Sequence, residues 1–147
     1  MKATLVNKDL GLKKIYYKLS NLKKLQVTVG IHDDAGMNKG VSVVEYAAKN
    51  HYGWGVPSRP FLAIAFDQNS GWKSAISAAV NTLFEGATPS LALSDAGKKA
   101  SDDIQNVIKS SVPPPNSPAT LKRKRGTTTL IDTGVMLSKV DYRVKVA

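Results

Sequence analysis

Residues 8–31, with the sequence KDLGLKKIYYKLSNLKKLQVTVGI, change from a helical to a strand-like pattern without an intervening loop. In the first part, apolar side chains recur at helical spacing and lysines fall mostly on the opposite side, which predicts an amphipathic helix over residues 8–24. The last part, LQVTVGI, alternates apolar and polar side chains, which predicts a half-buried strand over residues 25–31. A helix followed directly by such a strand indicates an α+β fold.

The remainder of the chain supplies a second strand and further helices. Residues 139–146, KVDYRVKV, alternate in the same way and predict a strand. Residues 32–40 are expected to form a loop. Helices are predicted over residues 43–51 after an N-cap at Ser42, from a cap at Asp67 or Ser70 to Gly86, and over about 90–110. We expect one α+β domain spanning residues 1–147, with a small, mostly antiparallel sheet covered by amphipathic helices.

The stretch from Pro113 to Gly134, PPPNSPATLKRKRGTTTLIDTG, contains closely spaced structural signals. Pro113 to Pro115 predict an extended segment. Ser117 and Pro118 form a good N-cap and first-turn pair for a short helix through Lys122, and Gly126 ends it. Asp132 is a candidate N-cap for a helical turn over residues 133–138. These signals predict that residues 113–129 form an extended, proline-rich basic arm at an interface.

The net charge of the 147-residue chain is +10 and lies at its two ends. Residues 1–31 sum to +6 and residues 118–147 to +5, whereas the middle sums to −1. Such asymmetry favours attraction to polyanions or to acidic neighbouring subunits. The candidate contacts to DNA or to an acidic surface are Lys13, Lys14, Lys122, Arg123, Lys124 and Arg125.

Signals for catalysis, cofactors and membranes are lacking in the sequence. There is no cysteine, and His32 and His51 fall on different predicted elements without a metal-binding spacing. The Asp33-Asp34 and Asp102-Asp103 pairs each lack a third carboxylate beside them. No run approaches the ~20 apolar residues of a membrane span, and the first residues lack the features of a signal peptide. We expect a soluble protein made in the cytoplasm that is not an enzyme and uses no metal or cofactor.

Arg59 stands in a segment stiffened by prolines at 57 and 60. An arginine on such a backbone has little freedom to lose on docking, and its guanidinium suits a carboxylate on an adjacent subunit. The alternative is an ion pair within the chain, with Asp67 or Glu45. Phe61, close by, is expected either in the core or at an interface.

Three motifs together make the chain resemble a known protein family. The first is the strand VTVGI at 27–31, followed by a glycine-bearing loop. The second runs from VEYAAKNHYG at 44–53 to VPSRPFL at 56–62. The third is PPNSPAT at 114–120 followed by LIDTG at 130–134. In this combination the chain resembles the small tail-completion or head-tail connection proteins of tailed bacteriophages, also described as virion morphogenesis or minor tail proteins.

The resemblance implies a structural virion protein, located in the tail or neck after assembly in the cytoplasm of the host bacterium. It would form a ring, sixfold as the resemblance implies, that ends the tail tube or joins it to the head. Its partners would be further copies of itself, tail-tube, tail-terminator or head-connector proteins, and DNA in the channel without sequence specificity. The expected subunit-interface residues are Arg59, Phe61, Pro115, Ser117, Leu121, Asp132 and Thr133. The alternative function is that of a free basic nucleic-acid-binding protein, to which the charged ends would point.

Overall fold

The computed structural model describes residues 11–147, which form an α+β fold as predicted. The part of the predicted first helix before Gly11 lies outside the described residues. The elements, in chain order, are α1 (Leu12–Leu22), β1 (Leu25–Ile31), a 3-10 turn (Asp33–Ala35), β2 (Met37–Asn38), β3 (Val41–Ser42), α2 (Val43–Tyr52), α3 (Phe61–Gln68), α4 (Gly71–Phe84), α5 (Pro89–Lys109), α6 (Pro118–Arg123), α7 (Val135–Ser138) and β4 (Val140–Val146).

The two predicted long strands, β1 and β4, pair with each other in antiparallel register. Val29 lies opposite Tyr142 and Ile31 opposite Val140. A two-stranded ribbon is marginally stable alone, so it needs a packing partner. α5 provides it, because Ser101 Oγ and Gln105 Nε2 both donate hydrogen bonds to the Val140 carbonyl, at 3.4 and 3.3 Å.

Gly97 allows the sheet to approach α5 closely. A Cβ atom at this position would lie 2.4 Å from Cδ2 of Tyr142 and 3.0 Å from Cγ1 of Val27, distances that real side chains do not adopt. The absence of a side chain at Gly97 therefore sets the spacing between helix and sheet.

The main core forms where α3, α7 and β4 pack around α5. Its largest fully buried side chains include Phe61 of α3 and Ile104 and Ile108 of α5. A second, smaller cluster joins Ala79 and Leu83 of α4 to Ala92 of α5, with Leu19 and Leu22 of α1 packed against it. Lys18 of α1 also donates hydrogen bonds from Nζ to the carbonyls of Leu83 and Ala87, at 3.2 Å each.

Two predicted helix caps are confirmed. Ser42 Oγ accepts a hydrogen bond from the Glu45 amide at 3.4 Å and begins α2. Ser117 Oγ accepts one from the Thr120 amide at 3.3 Å and begins α6.

Several local features differ from the sequence predictions. Helix α3 was not predicted, because Pro60 suggested a helix breaker, whereas it stands at the N-cap, where its missing amide costs nothing. The predicted loop 32–40 contains half of a short β2–β3 hairpin. The N-cap of α7 is Gly134, in the left-handed conformation, and the proposed capping role of Asp132 is wrong. The arm bends at Pro113 and Pro114, which are joined by a cis peptide bond.

Candidate interface site

Arg59 fastens the arm to the body of the subunit. Its guanidinium donates from Nε to the Pro114 carbonyl at 2.9 Å, and from Nη2 to Asn116 Oδ1 at 3.2 Å and to the Pro115 carbonyl at 3.4 Å. The residue is 4% exposed, and burial lowers the pKa of the guanidinium. Since a buried cation needs acceptors to replace the water it loses, these three oxygens stabilise both the arginine and the start of the arm.

These contacts correct two predictions about the Arg59 segment. The expected intrachain ion pair with Asp67 or Glu45 is wrong, because Arg59 donates to the arm and Glu45 instead accepts from Lys49 Nζ at 2.6 Å. The direct interface role of Arg59 and Phe61 is also wrong, since the two residues are only 4% and 1% exposed in the folded subunit. Arg59 acts on the arm from inside, and Phe61 belongs to the core.

The arm is closed on itself at its far end. Asn116, which accepts from Arg59, also donates from Nδ2 to the Thr129 carbonyl at 3.3 Å. Lys124 Nζ donates to the carbonyls of Thr128 and Thr129, at 2.7 and 2.9 Å. The two ends of the arm are therefore joined through one amide side chain, and Lys124 holds the return segment in place.

The basic run does not act as one unit. Lys124 is half-buried, and burial lowers its pKa although nearby Asp132 opposes this shift. Its ammonium is engaged with arm carbonyls, so we withdraw it as a contact to DNA or to an acidic surface. Lys122, Arg123 and Arg125 are exposed, and we refer to them as the three arm cations. Leu121, also exposed, precedes them, and Pro115 and Ser117 are exposed nearer the start of the arm.

Asp132 joins the end of the arm to the β2–β3 hairpin. Its Oδ1 accepts from the Arg125 amide at 3.2 Å and its Oδ2 pairs with Lys39 Nζ at 3.3 Å. These contacts, the amide hydrogen bond first, lower the pKa of Asp132. The ion pair spans a cleft of about 300 Å³ with apolar walls that include Val41 and Met136. Asp132 and Thr133 are exposed at this cleft and stay candidate interface residues.

The predicted basic residues fall on two different parts of the molecule. Lys13 and Lys14 are exposed on α1, which packs against α4 and α5. The three arm cations belong instead to a segment fastened beside the start of α3 through Arg59. The structure thus gives two separate basic surfaces rather than one continuous groove.

Two apolar surfaces were missed by the sequence predictions. The α4 stripe, which we define as Ile76, Val80 and Phe84, was expected to cover the sheet but is exposed, because α4 packs through Ala79 and Leu83 against α5 instead. The second surface surrounds an apolar cavity of about 180 Å³ that opens beside Tyr52. We call it the α2 cavity; its walls include Ile31, Val44, Ala48, His51, Phe61 and Leu62.

The rim of the α2 cavity is aromatic. The rings of Tyr52 and Trp54 stack with centroids 5.1 Å apart, and both side chains are exposed. His51 meets Phe61 edge to face at 5.4 Å, and burial lowers the pKa of its imidazole, which favours the neutral form. Although each aromatic residue is visible in the sequence, its exposure depends on tertiary packing.

Comparisons with known proteins give no assignment. The chain matches no protein-family model, no curated protein and no solved structure. Within residues 11–147 no group of three or more His, Asp or Glu side chains is placed to hold a metal ion. In the same residues, no helix is both long and apolar enough to cross a bilayer.

Proposed function

We propose that this protein is a structural virion subunit of a tailed bacteriophage that forms a ring at the end of the tail tube or at the neck. The sequence motifs that resemble tail-completion proteins suggest this function, and the contacts of the arm support it. The protein would act by assembly rather than by catalysis. Its partners would be further copies of itself and the adjoining tail or head proteins.

The observation that carries the proposal is the anchored arm. Arg59, Asn116 and Lys124 hold residues 113–129 in a defined shape by hydrogen bonds to four backbone carbonyls and one side-chain oxygen. A segment that is already ordered loses little conformational entropy when a partner binds. A disordered basic tail would show none of these internal contacts, whereas an arm built to fit a neighbouring subunit requires them.

The exposed side of the arm is suited to a protein neighbour. Leu121 presents apolar surface beside the three arm cations, so an apolar contact would be bordered by positive charge. An acidic patch on the adjoining subunit would complement this arrangement. In the assembled ring, Lys13 and Lys14 would be free to meet phosphates of DNA in the channel without reading its sequence.

The strand ribbon offers a further way to assemble. Among the described residues β1 and β4 pair only with each other, so each strand has an outer edge. Unpaired strand edges can accept a strand from another chain. A neighbouring subunit would extend the sheet there.

Sedimentation and a DNA shift assay on the purified protein test the proposal together. A ring-forming subunit should sediment as a discrete oligomer, near six copies, and bind duplex DNA weakly. The free nucleic-acid-binding protein would instead stay monomeric and bind DNA tightly, with affinity falling steeply as salt rises. The second result would refute the structural role.

A further inference from the structure

The exposed face of α4 carries an unusual combination of apolar character and lack of charge. Ile76, Val80 and Phe84 are spaced four residues apart and so share one face of the helix. Lys73 is the only charged residue within α4. Phe84 is 56% exposed, whereas Phe61 and Phe66 are buried or half-buried. A large ring exposed on an uncharged face is typical of a protein contact.

The α2 cavity has the size and chemistry to accept such a ring. Cavities of roughly 150 Å³ with aliphatic and aromatic walls hold a benzene molecule, and this one measures about 180 Å³. Its walls include Ile31, Leu62 and Phe61, against which a phenyl group would be desolvated. On α2, the exposed charges of Glu45 and Lys49 neutralise each other in an ion pair.

Charge identifies the occupant as a second copy of this chain. Two copies each carry +10, so they repel each other except where the meeting surfaces are uncharged. The α4 stripe and the α2 cavity are both of that kind. They also lie on different helices with separate packing partners, α1 and α5 for α4 but β1, β3 and α7 for α2. Contact between two unlike surfaces repeats head to tail and closes into a ring.

We infer that Phe84 of one subunit inserts into the α2 cavity of the next, so that the contact closes the ring. This inference rests on the proposed ring function and names the residues that hold the ring together. Tyr52 and Trp54 at the rim would cover the inserted phenyl group and exclude water from it. Phe84 would be a central anchor of the interface, and the arm would supply much of the remaining area.

Complementation between two variants tests the inference. Phe84→Ser removes the inserted ring but keeps the cavity, whereas Ala48→Trp fills the cavity but keeps Phe84. Each variant alone should dissociate, with an apparent dissociation constant raised about 30-fold or more for loss of an interface anchor. An equimolar mixture should form one-to-one dimers and no rings in native mass spectrometry, because only one productive contact remains.

Controls keep the test decisive. Tyr16→Ser removes an equally exposed aromatic side chain from α1 and should leave ring formation unchanged. Ala48→Leu is a smaller blocking variant, to be used if circular dichroism shows that Ala48→Trp does not fold.

Other outcomes overturn the inference. Intact rings of Phe84→Ser, or a mixture of folded variants that stays monomeric, would contradict the Phe84 contact while leaving the ring function standing. A wild-type protein that stays monomeric would contradict both.

Discussion

Removal of the Arg59 side chain should release the arm while the rest of the subunit stays folded. In Arg59→Ala, the Pro114 carbonyl and Asn116 Oδ1 lose their charged donor, and the longer contact to the Pro115 carbonyl is lost as well. The other anchors, Lys124 and the Asn116 link to Thr129, remain. The arm should therefore open more often without leaving its folded state entirely.

The size of the effect follows from these hydrogen bonds. A bond to a charged partner contributes about 1.5–3 kcal/mol, and neighbouring bonds in one network do not add fully. Two bonds of ordinary length thus give an expected loss of about 3 kcal/mol in the free energy of arm opening. This loss corresponds to an increase on the order of 100-fold in the open population. Arg59→Lys, which keeps the charge but not the planar fork, should have a smaller effect.

Native-state hydrogen exchange measures the opening directly. The amides of Leu121 and Lys124, which are bonded within α6, should exchange on the order of 100-fold faster in Arg59→Ala, while those of α5 change less. Lys49→Ala is the control, because it removes an exposed cation and an i,i+4 ion pair worth only about 0.3–0.5 kcal/mol. Unchanged arm exchange, or equal acceleration in the arm and α5, would refute the anchoring role of Arg59.

Three further predictions concern other parts of the subunit. Gly97→Ala should cost about 1–3 kcal/mol or more in denaturant unfolding, because its Cβ would overlap the Tyr142 ring, whereas the control Gly126→Ala has room and should be near neutral; equal effects would contradict the close approach. Since the pKa of Asp132 is lowered on folding, its contribution to stability is present above its ordinary pKa and lost as pH falls through the lowered value. The stability difference between wild type and Asp132→Asn should therefore shrink in acid melts, and a constant difference would argue against it. Replacing the three arm cations by serine should weaken assembly more at low salt than at high salt in sedimentation, and a salt-independent loss would exclude an electrostatic role.

Local patterns in the sequence were sufficient to predict much of the fold. The alternation in 25–31 and 139–146 predicted both long strands, and the caps at Ser42 and Ser117 follow from side chains that bond within three residues. These features depend on near neighbours along the chain. The strand pairing was also predictable, because each strand has one apolar side that requires cover.

The features that were missed depend on distant partners. Arg59 binds carbonyl oxygens 55 and 56 residues away, and backbone acceptors leave no trace in the sequence. The orientation of α4 was reversed because an apolar stripe suggested a buried face, whereas Ala79 is on the side that packs against α5. The candidate site was therefore predictable at Asp132 and the exposed arm residues, but the anchor inside it and the α2 cavity required the structure.

The proposed structural role is tested most directly by electron microscopy of particles assembled without this protein. If the protein completes the tail or joins it to the head, deletion of its gene should give heads without tails alongside separate, unjoined tails. Supplying the protein in trans should restore complete virions, which excludes an effect of the deletion on neighbouring genes. Normal virions in its absence would contradict the account.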